Sequence, residues 1–278
     1  MVDFATSVIG ILAATLIPAY ASLYLVTYIG SRMKVRYIAA LGVGLALWFF
    51  FDTLNDAVQL GVNSSFSGGL PQLGLVIAFV LGVVVLAVFD HFAILDGSYG
   101  ISGSASKASS SSSFLFLIPA GIAAVSGIHG LGEGWDFGTA ASLASNSLID
   151  AFGGLAPVAS YPIHKFLESA VIASAYAAYL GGSGIASSRR AWWHLPVLGL
   201  LFGLPGAIGT SIGYHFALDT TYFFAFGVTS AIYATLRLVE AINPSFKVGE
   251  NAPVPLGWKV FLAILIGFFL LYSAALLH

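Results

Sequence analysis

From Leu75 to Phe89 the chain runs for fifteen residues without a polar side chain, and from Val260 to Leu271 for another twelve. A helix that is apolar on every side needs protein or lipid all round it. With 58% hydrophobic and only 8% charged residues among 278, against about 25% charged in a soluble chain, there is too little polar surface to face water. The mean hydropathy of +0.94 agrees. A polytopic membrane protein is expected, and an ordinary soluble enzyme is excluded.

A membrane-crossing helix takes about 20 predominantly apolar residues. Eight stretches reach that length: 7–29, 36–61, 72–95, 114–143, 158–181, 193–215, 219–243 and 257–277. A transmembrane β-barrel would alternate apolar and polar positions over segments of about 10 residues, and the runs above do not alternate. The predicted fold is all-α, one transmembrane domain over 1–278. Ala19-Tyr20-Ala21 looks like a signal-peptide cleavage site, but no Lys or Arg precedes it and the apolar run continues to Ile29. The first stretch therefore reads as a retained helix.

Basic residues orient the spans, because Lys and Arg concentrate in cytoplasmic loops. Arg32, Lys34 and Arg36 lie between spans 1 and 2, Lys107 between 3 and 4, Arg189 and Arg190 between 5 and 6, and Lys247 and Lys259 between 7 and 8 or at its edge, with Arg237 late in span 7. The connections 62–71, 144–157 and 216–218 carry none. Every basic loop thus falls on one side. The expectation is a multi-pass protein of the cell membrane with both termini outside. Segment 96–113, which ends in the serines Ser109 to Ser113, reads as a flexible cytoplasmic tether.

A net charge of −2 supplies no basic field for nucleic acid. The absence of cysteine removes disulfides, thiolate metal sites and cysteine nucleophiles. Any metal would be held by His, Asp, Glu or backbone oxygen.

One basic residue, Lys165, falls inside a span, and it has ionisable company. Span 4 carries His129 and Glu133, and span 5 carries His164 and Glu168. Charged groups within a bilayer are costly, by about 2.5–3.5 kcal/mol each on insertion scales, so they read as functional by default. In both spans Glu follows His by four residues, which places the two side chains on one helical face, one turn apart. Two such helices facing each other offer two imidazoles and two carboxylates, a donor set suited to zinc or a similar divalent first-row metal. The bland reading is a pair of interhelical hydrogen bonds. Two copies of the spacing in adjacent spans favour the metal. Gly130, Gly132 and Gly134 around Glu133 are expected to loosen span 4 and make room for an ion; close helix packing through small residues is the other reading.

On these residues the chain resembles the ZIP (Zrt-, Irt-like protein) family of divalent metal transporters. The resemblance rests on His129-Gly130-Leu131-Gly132-Glu133-Gly134 and His164-Lys165-Phe166-Leu167-Glu168, with Gly130 and Gly132 where the family has Asn and Pro. Weaker echoes are Leu204-Pro205-Gly206-Ala207-Ile208-Gly209 and the stretch from Ala225-Phe226-Gly227 to Glu240. The resemblance implies a ZIP-like bundle of eight helices and a metal site of His129, Glu133, His164 and Glu168. It also implies a divalent cation, zinc first, as the substrate, with iron, manganese, cobalt and cadmium as fitting alternatives. In many members the bundle is a homodimer and the site-bearing helices slide against a fixed group. A second metal in some members would use positions held here by Gly130 and Lys165 plus an acid in span 6, which has none. One metal is therefore expected, with the Lys165 ammonium in the place of the second; snorkelling of Lys165 to the outer interface is the bland alternative.

Asp136 reads either as part of the metal's route or as an interhelical hydrogen-bond partner. Asp52, Asn55 and Asp56, late in span 2, read as cation attractors at the outer mouth or as interfacial residues. Asp90 and His91 end span 3 on the cytoplasmic side, where release would occur. His215 and Asp219 flank the outer turn between spans 6 and 7, and Glu240 lies near the inner end of span 7. For all of these a solvated helix end is at least as good a reading. Two functional rivals to transport are an intramembrane metal-dependent hydrolase and a non-transporting metal sensor. Against the hydrolase, there is no His-Glu-x-x-His motif and both glutamates are already assigned as ligands.

Overall fold

The computed structural model describes residues 2–58, 70–98, 115–143, 147–180, 191–242 and 257–275. Most of the tether 96–113, with Lys107, and also Arg189, Arg190 and Lys247 lie outside the described residues. The described residues form long helices without strands: α1 (Phe4–Gly30), α2 (Val35–Val58), α3 (Leu70–Ser98), α4 (Leu117–Leu143), α5 (Leu155–Leu180), α6 (Ala191–Gly213), α7 (Thr221–Ile242) and α8 (Trp258–Ala275). A single helical turn, Leu148–Ala151, stands between α4 and α5. The long helices fall on the eight apolar stretches, with ends that agree within three residues. The first begins earlier than its hydropathy suggests because Asp3 caps it, accepting from the Thr6 N–H at 2.9 Å. The hydrogen bonds from Thr6 hold the Asp3 carboxyl below the usual aspartate range.

Five helices, α1, α2, α3, α6 and α7, are long and apolar enough to cross a bilayer, and α8 is apolar but shorter. This marks the chain as a membrane protein. The helices α4 and α5 are absent from that group because His, Lys, Glu, Asp, Ser and Gly dilute their apolar residues. Their position explains how this is tolerated. Both are buried along most of their length, whereas α3 exposes Val76, Ile77, Val80, Leu81, Val84 and Val88. The helix that is apolar all round takes the outside, and the two polar ones are enclosed by their neighbours.

The helices pack as two groups. In one group α4 packs on α6 and α1 on α5 and α6, and in the other α2 packs on α7 and α8 and α3 on α7. The groups meet mainly where α4 faces α7 and α2 faces α5.

Glycine makes the tightest of these contacts, and here the expected loosening of span 4 is corrected. The helix α4 runs unbroken from Leu117 to Leu143. Its Gly127, Gly134 and Gly138 form a stripe that lies directly against the backbone of α6, whose Gly209 and Gly213 answer it. A Cβ built on Gly134 would stand 2.0 Å from the Gly206 carbonyl oxygen, and one on Gly209 would stand 2.0 Å from that of Leu131. Without a hydrophobic force between helices in lipid, such backbone contact is a main source of attraction. Gly132 abuts Phe223 of α7, so its hydrogen is likewise a packing requirement.

Gly134→Ala is therefore expected to destabilise the protein by about 1–3 kcal/mol through overpacking, despite the roughly 1 kcal/mol that alanine gains in helix propensity. Gly130→Ala should be tolerated, because its Cβ would meet nothing closer than the Phe202 carbonyl at 3.7 Å. Thermal unfolding of both variants in detergent measures the difference; equal midpoints would contradict the packing role.

Candidate metal centre

Helical spacing brings each histidine to its own glutamate. In α4 the Nε2 of His129 lies 3.2 Å from Oε1 of Glu133, and in α5 the Nε2 of His164 lies 3.1 Å from Oε1 of Glu168. Packing of α4 against α5 then joins the pairs, since the same Glu168 Oε1 is 3.5 Å from His129 Nε2. His129, Glu133 and Glu168 offer atoms that all lie within 4.8 Å of one another, and His164 adds its nitrogen through Glu168.

Lys165 is buried and does not snorkel. Its Nζ contacts Oε2 of both Glu133 and Glu168, and it lies 5.4 Å from the ring centre of Tyr161 and 5.6 Å from that of Phe202. The carboxylates are thereby divided. Each turns one oxygen to histidine and the other to the ammonium. A buried charge without a partner is strongly destabilising, and two carboxylates around one ammonium leave a net −1 when the imidazoles are neutral. That residual charge, in low dielectric, attracts a cation.

Four further residues fix the geometry. The His129 ring is held edge-on by Phe49 of α2, at 5.3 Å between centres, and packed by Phe224 of α7 at 5.1 Å. Gly227 lets α7 approach, since a Cβ there would be 2.6 Å from that of His129. The Tyr161 hydroxyl donates to Glu133 Oε2 at 3.3 Å. Glu133 is the more open of the two acids, its side chain 18% exposed against 1% for Glu168.

Asp52 lies closer to the centre than an outer-mouth position suggests. Its Oδ2 is 3.5 Å from His164 Nε2, reached from the other helix group. Asp56 follows one turn later on α2, half-buried. Asp136 accepts from the hydroxyl of Thr220, the residue just before α7, at 2.8 Å. Asp90 is engaged elsewhere: it accepts from Arg237 Nε at 2.6 Å and from the Tyr233 hydroxyl at 2.7 Å, while Arg237 also donates to Glu240 at 2.6 Å. His91 is exposed beside Phe92. His215 packs on Phe4, and Asp219 accepts from the Thr221 N–H at 3.1 Å, at the start of α7.

Sequence reading passed over Tyr161, Phe49 and Phe224. Of these only Tyr161 left a signal: it precedes Lys165 by four residues and so shares its face. Phe49 and Phe224 are ordinary apolar residues of ordinary apolar helices until the fold places them on His129. Neither protein-family models nor curated protein sequences match this chain.

Proposed function

We propose that the protein moves a divalent transition metal, zinc first, across the membrane through the His129, Glu133, His164 and Glu168 centre. The observation that carries this reading is the division of the carboxylates: the His129 nitrogen and one oxygen from each glutamate converge, His164 reaches the same Glu168 oxygen, and Lys165 occupies the remaining oxygens. Two nitrogens and two oxygens match the four-coordinate preference of zinc.

All four ligands lie on α4 and α5, in one helix group, and Asp52 faces His164 from the other. This division supports alternating access, in which the ligand-bearing group shifts and carries the ion past Asp52. In the proposed topology all eight long helices span the cell membrane as in a ZIP-like bundle, the basic loops face the cytoplasm and both termini lie outside. The hydrolase reading is weaker here, because Lys165 engages both glutamates, so neither stands free as a general base.

Reconstituted in proteoliposomes, the chain should give saturable, zinc-dependent flux. Protons compete with metal for imidazole and carboxylate, so flux should fall as the pH drops from neutral into the acid range. Folded, zinc-binding protein without flux would defeat transport in favour of sensing. Flux that stays flat across that pH range would remove histidine from the path.

A further inference from the structure

We infer that Tyr161 is a positioning residue which, with Lys165, holds each glutamate to a single metal-facing oxygen and so restricts the centre to small, four-coordinate ions. The inference rests on the metal reading above and concerns its selectivity.

A carboxylate can bind a metal through one oxygen or both. Larger ions that favour six or more oxygen ligands, such as manganese and calcium, gain from the bidentate form, whereas zinc is satisfied by four donors. Here Oε2 of Glu168 is held by Lys165 within a fully enclosed side chain. Glu133 has more room to turn, being 18% exposed, and it is Glu133 that receives a second donor on Oε2, from Tyr161 at 3.3 Å.

The phenol has only one hydrogen to give. With that hydrogen on Glu133, the Tyr161 oxygen is left to accept from the Thr15 hydroxyl, 3.5 Å away on α1. Tyr161 thus ties Glu133 of α4 to a residue on a third helix, and its body is buried with Phe152 packed on its ring. The carboxylate is steadied from outside the two helices that carry the ligands.

Tyr161→Phe removes the hydroxyl and keeps the ring. Thr15→Val, which removes only the distal hydroxyl, gives a second and milder test if the first variant folds poorly. Cobalt(II) serves as the probe, since its visible absorption is intense in four-coordinate sites and weak in six-coordinate ones, and zinc against manganese is measured by competition for the same protein. The unaltered chain should give intense cobalt bands. In Tyr161→Phe the bands should weaken and the zinc-over-manganese preference should drop about tenfold, the worth of one hydrogen bond to a charged group; Thr15→Val should shift both the same way by less. Intense bands and an unchanged preference in both variants would overturn the role of Tyr161 and leave the metal site standing. Absence of cobalt and zinc binding in the unaltered chain would overturn the site itself, and this inference with it.

Discussion

Glu168→Ala should abolish zinc transport, with flux falling about a hundredfold or more, since altering even a neighbour of a metal ligand costs 10–100-fold. Glu168 is the hub of the centre. One of its oxygens meets both histidines, at 3.5 and 3.1 Å, and the other meets Lys165. Removing it takes away a ligand and also half of the counter-charge of a buried ammonium. Breaking such a pair costs about 3–5 kcal/mol when no partner remains; the Glu133 contact should keep the loss below that range. The variant should therefore unfold at lower temperature yet still be isolable. Glu168→Gln keeps the shape, and it should lose flux with a smaller change in stability. Glu240→Ala, which deletes an exposed partner of Arg237, serves as the control with flux retained. Near-normal flux in Glu168→Ala would exclude the centre from the transport path.

Lys165→Asp should raise the bound metal from one ion per chain to two. At present the ammonium lies against Oε2 of both glutamates. An aspartate there withdraws the positive charge, releases two oxygens and adds two more. Without metal, three carboxylates would crowd a buried site, and that repulsion is relieved only by cations or by protons. The metal-free variant should be strongly destabilised, and zinc should restore it, because whatever binds only the folded form stabilises it. Elemental analysis of protein purified in zinc gives the stoichiometry directly. A ratio of one in folded Lys165→Asp would show that Lys165 does not stand in for a second metal.

Much of this was legible in the residues. The helices were, because a run such as Leu75 to Phe89 admits only an apolar surround, and the His-to-Glu pairings were, because four residues along a helix return to the same face. The glycines of α4 were legible as special but not in their role. Small residues serve an open loop and a tight seam equally well, and only the position of α6 against Gly127, Gly134 and Gly138 decides for the seam. Asp52 was likewise visible as an acid late in span 2, but its distance to His164 depends on how α2 lies against α5.

Local sequence thus determined the elements and each His-Glu pair, since both follow from rotation per residue and from the free energy of moving side chains out of water. The tertiary structure decided everything that depends on two or more helices at once. It put the polar pair α4 and α5 inside the bundle, joined the two His-Glu pairs through one oxygen of Glu168, and set Lys165 and Tyr161 on the opposite oxygens. Apart from Lys165 on Glu168, one helical turn away, those contacts lie between residues far apart in the chain, and their geometry is set by the packing of whole helices, which no local pattern encodes.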